Sequence, residues 1–184
     1  MDTYWINGIA CMLITLSIIV FRTSFTFWKL ESRTFAFLIS ITSCIFFGWY
    51  FYLLGFYKSL FIQVFSICLN VYGMYSFSQD QIMKRLTFKN IYVLLILLLV
   101  CICIKTPLMD SYLFVMSIFS SYLLITKIPF CWITWFIYDL SCVIFFYSRL
   151  EYIGSLCYII TMTFSVLNYL QWKKELNEKC ICQN

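Results

Sequence analysis

The amino-acid sequence predicts an all-α membrane protein with seven transmembrane helices in a single domain, and three observations lead to this class. Hydrophobic residues make up 63% of the 184 residues. Only 11% of the residues are charged, whereas a soluble domain carries about 25%, so the chain lacks the polar coat of a soluble protein. Finally, the apolar residues are gathered into seven separate runs, most of them close to the length of a membrane span.

The seven apolar runs cover residues 4–21, 35–57, 59–77, 91–104, 108–126, 130–147 and 152–172. The fourth run is the shortest and is aliphatic all round, so we predict that it faces lipid or serves as a linker. No basic segment precedes the first run and no small-residue cleavage site follows it, which favours a retained span over a signal peptide. Residues 173–184 are predicted to be a cytoplasmic tail.

The basic residues predict the orientation of the spans. The loops after spans one, three and five and the C-terminus hold ten of them: Arg22, Lys29, Arg33, Lys84, Arg85, Lys89, Lys127, Lys173, Lys174 and Lys179. The opposite side holds three: Lys58, Lys105 and Arg149. Because positive loops stay in the cytoplasm, we predict an outside N-terminus and a cytoplasmic C-terminus.

An internal repeat is indicated by an offset of 95 residues, which aligns 51–77 with 146–172. The offset pairs Phe51 with Phe146 and Val71 with Val166, among other identities. Spans 1–3 and 5–7, separated by one span, would have the same orientation. We therefore predict repeat one at about 4–78, a linker helix at about 91–104 and repeat two at about 108–172, which is a parallel 3+1+3 arrangement.

Asp139 is the acidic residue that lies well inside a predicted span. A carboxylate in the bilayer costs several kcal/mol, so it usually faces a partner or a wet cavity. Trp132 and Trp135 precede it by seven and four positions, and Cys142 follows it by three, so the four residues share one helix face. Two indoles and a carboxylate suit a flat, cationic ring. The alternatives are a structural hydrogen bond for Asp139 and an interfacial aromatic belt, which is the better interpretation for Trp132.

Two polar stripes run along spans three and seven, at helical spacing. The first comprises Gln63, Ser66, Asn70 and Gly73, and the second, 95 residues further on, comprises Tyr158, Thr161, Ser165 and Asn168. Amides and hydroxyls on facing helices can bind a sugar or a carboxamide. They can equally hold two membrane helices together, so a stripe alone does not decide between a cavity and a packing face.

The composition argues against several other functions. The chain has no His and no second acid deep in a span, which counts against a membrane enzyme. The ten cysteines include no CxxC pair, and the Cys180/Cys182 pair in the tail predicts a reduced thiol pair more readily than a metal site. The net charge of +5 lies in short loops and the tail, which suits topology control better than nucleic-acid binding.

Several short motifs follow one another along nearly the whole chain. They are Trp5-x-x-Gly8, Gln63 followed by Tyr72-Gly73-x-Tyr75, Trp132-x-x-Trp135-x-x-x-Asp139, and Tyr169-x-x-Trp172-Lys173. In these motifs the sequence resembles the PnuC family of bacterial vitamin-precursor transporters, best known for nicotinamide riboside. The chain departs from that family in its short loops and tail, and in Phe77, because relatives often end the third span in Trp.

The resemblance implies a SWEET-like 3+1+3 fold with a central site in the bacterial inner membrane, facilitated diffusion by alternating access, and no cofactor. A cytosolic kinase would draw uptake inward by phosphorylating the substrate. By position, the substrate contacts would be Gln63, Asn70, Trp132, Trp135 and Asp139. Thiamine and riboflavin are alternative substrates, and a structural or assembly subunit is the alternative function. A homo-oligomer and a coupled ion both stay open.

Overall fold

The computed structural model describes residues 3–22, 26–27, 30–53, 55, 57–78, 87, 90–93, 95–96 and 108–181. In these residues the helices are α1 (Thr3–Arg22), α2 (Ser32–Leu53), α3 (Tyr57–Ser78), α4 (helical at 90–93 and 95–96), α5 (Leu108–Ile125), α6 (Cys131–Ser148) and α7 (Tyr152–Ile181). A short antiparallel ribbon, β1 (Thr26–Phe27) with β2 (Leu30–Glu31), lies between α1 and α2.

The helices confirm an all-α membrane protein. Within the described residues, α2, α3, α6 and α7 each contain a stretch long and apolar enough to cross a membrane. The apolar parts of α1 and α5, Trp5–Phe21 and Tyr112–Ile125, are shorter. Most of the predicted linker helix, at 94 and 97–104, lies outside the described residues. So do the basic loop residues at 29, 84, 85, 89 and 105, and the side chains of Arg22, Lys58, Lys179 and Cys180 together with all of Cys182.

The C-terminal ends of α2 and α7 differ most from the apolar runs. The second run reaches residue 57, but α2 ends at Leu53. The reason is Gly55, whose φ of 73° lies in the left-handed region that only glycine adopts without strain. At the other end of the chain, α7 continues to Ile181, because the Lys-, Glu- and Leu-rich segment after Trp172 consists largely of good helix formers. The predicted tail is therefore helical as far as Ile181.

Six helices form a closed ring. Each packs against the next in the order α1, α2, α3, α5, α6 and α7, and α7 returns to α1. In each half the middle helix, α2 or α6, packs on both of its neighbours, whereas the described residues of α1 and α3, and of α5 and α7, make no close backbone approach. The described part of α4 lies beside α5, where the Asn90 amide donates to the Tyr122 hydroxyl at 3.3 Å, and its residues Tyr92 and Leu95 are exposed.

An aromatic cluster closes one end of the ring. It consists of Phe21, Phe37, Phe77, Trp132 and Trp172, one from each of α1, α2, α3, α6 and α7, and all five are buried. Ring centroids lie 5.5 to 6.3 Å apart along its contacts, for example 5.5 Å between Phe21 and Trp132 and 6.3 Å between Phe77 and Trp172. At these separations tilted and edge-on aromatic pairs attract each other. Phe77 and Trp172 are also partners under the 95-residue offset.

Candidate functional site

The ring of helices encloses a cavity of about 340 Å³. Side chains from all six ring helices line it. At one end its wall is part of the aromatic cluster, with Phe21, Phe37 and Trp132, and at the other end it reaches Arg149 and Glu151 in the connection between α6 and α7. Arg149 is exposed, whereas the aromatic cluster is buried, so the end of the cavity at the α6–α7 connection is the more accessible of the two. We call this end the mouth.

All five residues predicted to contact a substrate line this one cavity. Gln63 and Asn70 reach it from α3, and Trp132, Trp135 and Asp139 reach it from α6. The Asn70 amide donates to the Ser66 backbone carbonyl of its own helix at 2.8 Å. Gln63 makes no hydrogen bond to any other described residue, so its amide is available to a ligand.

Asp139 is both buried and hydrogen-bonded. Its exposed fraction is 1%, and Ser165 of α7 donates its hydroxyl hydrogen to Oδ2 at 3.3 Å. Thr161 of the same helix lies within hydrogen-bonding reach of the carboxyl. Asp139 therefore ties α6 to α7, as the structural interpretation predicts, and it also borders the cavity. The Asp139 carboxyl therefore holds the cavity-lining face of α6 in a fixed orientation relative to α7.

The two tryptophans of α6 have different surroundings. Trp132 is only 2% exposed and contacts Phe21 and Trp172 edge-on, so its interpretation as an interfacial belt residue is wrong, since a belt indole must reach the membrane surface. Its indole N–H has no acceptor among the described residues. Trp135 is half-buried further along the cavity wall, where Tyr138 packs against it edge-on at 5.3 Å.

The two polar stripes serve different purposes. On α3, Gln63, Ser66 and Asn70 line the cavity, while Gly73 lies against the Phe37 ring. On α7 all four stripe residues are buried, yet only Tyr158 borders the cavity. Thr161 and Ser165 instead face Asp139. The two stripes have the same spacing in the sequence, but the stripe on α3 is largely a cavity wall and the stripe on α7 is largely a helix contact.

Apart from Ala36, the cavity-lining positions of α2 and α6 repeat at a constant spacing. On α2 they are Phe37, Ser40, Ser43, Cys44, Phe47, Tyr50 and Phe51, and on α6 they are Trp132, Trp135, Tyr138, Asp139, Cys142, Phe145 and Phe146. Each member of the first set is followed by a member of the second after 95 residues. The two middle helices therefore present the same face to the cavity, and the indole and carboxylate groups of α6 stand opposite smaller groups on α2.

The mouth carries a cluster that the sequence did not single out. We call Asn7, Tyr50 and Glu151 the mouth cluster: the Asn7 amide of α1 donates to Oε2 of Glu151, and the Tyr50 hydroxyl of α2 donates to Oε1 at 3.4 Å. Burial raises the pKa of the Glu151 carboxyl above its ordinary range, and the bond from Tyr50, the charge of Arg149 and the bond from Asn7 offset part of that rise. In the sequence Glu151 lies in an ordinary short polar loop after an apolar run, so nothing there indicated these contacts.

The fold and the cavity define the class as a multi-pass membrane protein whose helices enclose a small-molecule-sized cavity. A family model described as "Nicotinamide mononucleotide transporter" matches residues 12–174. The chain therefore belongs to this family, the PnuC family. A solved structure described as "Crystal structure of the Vitamin B3 transporter PnuC" is similar in fold, with a TM-score of 0.73 and 14% sequence identity over 95% of this chain and 83% of that chain. No curated protein matches the sequence.

Proposed function

We propose that this protein carries nicotinamide riboside across the bacterial inner membrane. The observation that carries the proposal is the cavity within the helix ring, where the indole of Trp135, the amides of Gln63 and Asn70 and the carboxyl of Asp139 converge. Its volume of about 340 Å³ falls in the range of small-molecule sites. The family and the fold neighbour, which is described as a vitamin B3 transporter, support the same substrate class.

The charges of the cavity favour the nucleoside over its 5′-monophosphate. Among the described residues that line the cavity, Arg149 at the mouth is the one basic side chain, and Asp139 lies deep in it. Phosphate sites in proteins use several Arg, Lys or backbone N–H donors. Nicotinamide riboside instead carries one positive charge on its pyridinium ring, which the negative faces of aromatic rings attract.

In this proposal each residue binds a different part of the substrate. The indole of Trp135 stacks on the pyridinium ring. Gln63 and Asn70 bind the ribose hydroxyls or the carboxamide through their amides. Trp132 offers its unpaired indole N–H at the closed end of the cavity, and Asp139 orients the wall through Ser165.

The mechanism in this proposal is alternating access by two three-helix units in a parallel 3+1+3 arrangement. The matching faces of α2 and α6 support two related units. The units meet at two contacts, α1 with α7 and α3 with α5. Rocking at these contacts opens the aromatic cluster to the cytoplasm, given an N-terminus outside and a C-terminus inside. The described basic residues near the cluster, including Arg33, Lys127 and Lys173, agree with that orientation.

Transport in this proposal is facilitated diffusion that feeds NAD biosynthesis. The described part of the cavity lining contains no relay of buried acids or His for protons. Net uptake therefore depends on a cytosolic kinase that phosphorylates the nucleoside and traps it. The functional partners are the substrate, the lipid and that kinase.

The test is uptake of labelled nicotinamide riboside by proteoliposomes that contain the purified full chain and no kinase. We expect equilibration without accumulation, and slower uptake of nicotinamide mononucleotide. Trp135→Ala should weaken apparent affinity about 30-fold, because a desolvated cation–π contact is worth about 2 kcal/mol. Gln63→Ala should also reduce uptake. Trp49→Ala is the matched control, since this indole is 48% exposed and does not line the cavity.

Three results would contradict the proposal in different ways. Accumulation driven by an ion gradient would refute facilitated diffusion. Equal or faster uptake of the mononucleotide would refute the preference for the nucleoside. Uptake of thiamine or riboflavin in place of nicotinamide riboside would assign the same fold to another vitamin.

A further inference from the structure

Glu151 lies where a substrate would first meet the cavity from the open side. It follows α6 in the short connection to α7 and lines the mouth, at the opposite end from the aromatic cluster. Asn7 of α1 and Tyr50 of α2 both donate to its carboxyl. The carboxylate is therefore held in one place by two helices of the other half of the ring.

The two donors that hold Glu151 are neutral, so they orient the carboxylate without cancelling its charge. Within the part of the chain that the structure describes, Glu151 makes no ion pair. Arg149, two residues earlier, instead lies over the Phe145 ring at 4.3 Å from the guanidinium carbon to the ring centroid. A fixed carboxylate beside an aromatic ring, here that of Tyr50, is an arrangement that binds organic cations.

We propose that Glu151 is a specificity-determining residue, whose carboxylate attracts the positively charged ring of the substrate at the mouth of the cavity. The inference rests on the proposed function, because it assigns to one residue the selection of the cationic nucleoside. The same charge repels a monophosphate. Glu151 acts before the ring reaches Trp135, so it changes the rate of capture more than the rate of translocation.

The proposal implies a pH dependence with a definite sign. The groups that face the Glu151 carboxyl are Asn7 and Cys11 from α1, Tyr50 from α2 and Arg149 from its own connection. Because burial raises the pKa of this carboxyl, its charge is present above the raised pKa and is lost as the pH falls through it. Capture of the cationic substrate should decline over the same interval, and capture of a neutral analogue should not.

The experiment compares two probes in proteoliposomes: nicotinamide riboside, which is cationic, and its reduced dihydro form, which is neutral and nearly the same shape. Glu151→Gln keeps an acceptor for Asn7 and Tyr50 but removes the charge. We expect kcat/KM for the cation to fall about tenfold, equivalent to about 1.4 kcal/mol, with the neutral probe changed less than twofold and the pH dependence abolished. Glu151→Asp should retain the preference for the cation. Glu175→Gln, at the cytoplasmic end of α7, is the matched control.

The outcomes separate the inference from the proposed function. Equal losses for both probes in Glu151→Gln would make Glu151 a structural tie between the halves and overturn the inference. Unchanged kinetics for both probes would also overturn it. In either case, uptake by the wild-type protein would leave the proposed function intact. Failure of the wild-type protein to carry either probe would overturn the proposed function and the inference together.

Discussion

Replacing Gly73 by Ala tests whether the aromatic cluster is as tightly packed as the structure indicates. A Cβ atom on Gly73 of α3 would lie 2.6 Å from Cε1 and 2.9 Å from Cζ of Phe37. Such separations are well inside van der Waals contact, so the ring must move. Phe37 is buried against Phe21 and Phe77, with ring centroids 5.8 and 5.5 Å away. Movement of the Phe37 ring would therefore displace its neighbours in the aromatic cluster, which closes one end of the cavity.

The size of the effect follows from two opposing contributions. Overpacking a buried site costs about 1–3 kcal/mol, and replacing Gly by Ala in a helix gains up to about 1 kcal/mol. The expected net loss for Gly73→Ala is about 1 kcal/mol. Gly8→Ala in α1 provides the comparison, because its Cβ would meet only Ile153 at an ordinary 3.9 Å. This second variant keeps the helical gain without the clash, so the two variants should differ by about 2 kcal/mol.

The assay is thermal unfolding of the two purified variants in the same detergent, followed by size exclusion of the protein that stays folded. For a chain of this length 1 kcal/mol shifts Tm by about 2–4 °C, so the variants should be separated by about 4–8 °C. Proteoliposomes made from the same variants should show faster passive leakage of substrate for Gly73→Ala. Equal Tm values for the two variants would refute the close packing of Phe37 on α3.

Two further predictions concern the aromatic cluster and the contact between Asp139 and α7. Phe77→Ala should lower the free energy of unfolding by about 2 kcal/mol, less than the about 3–5 kcal/mol of a buried Phe in a soluble core, because lipid is itself apolar. Phe61→Ala, on the same helix and 67% exposed, should change it little. Similar Tm shifts for both variants would contradict the buried position of Phe77. Asp139→Ala should lower the free energy of unfolding by about 1–3 kcal/mol, because it leaves the buried Ser165 hydroxyl without its partner. Asp139→Asn keeps an acceptor and should retain most of the stability. An Asn variant as unstable as the Ala variant would show that α7 requires the charge and not the hydrogen bond.

The fold follows closely from the sequence because membrane helices satisfy their own backbone hydrogen bonds. Apolar length alone therefore predicts α3 and α6 within two residues of their observed ends. It fails at α2, where Gly55 ends the helix inside a continuous apolar run. It also fails beyond Trp172, because apolar length carries no information about a helix that leaves the membrane.

The half of the site that lies on α6 could be predicted from the sequence. Trp132, Trp135 and Asp139 are rare residue types for a membrane span, and their spacing alone is enough to assign them to one helix face. The facing positions on α2, such as Ser43 and Phe47, are ordinary residues for a span and give no signal. Only the 95-residue offset, extended from span three back to span two, could have identified them.

The role of Glu151 could not have been predicted, because its partners are distant in the chain. Asn7 lies 144 residues away and Tyr50 lies 101 residues away. In the sequence Glu151 is one acid in a short loop between two apolar runs, which is where acids commonly occur. Its significance depends on the closure of the ring, which brings α1 and α2 to the end of α6.

Because the two polar stripes have different roles, mutations in them should have different effects on the evolution of this protein. On α3, Gln63, Ser66 and Asn70 face the cavity, so altering them changes what fits inside while leaving the contacts between helices in place. On α7, altering Thr161 or Ser165 removes the partners of Asp139. New cargo can thus evolve through changes on α3 while α7 keeps the contacts between helices intact. A mutant library aimed at the α3 stripe should yield more folded variants, with more diverse transport, than the same library aimed at α7.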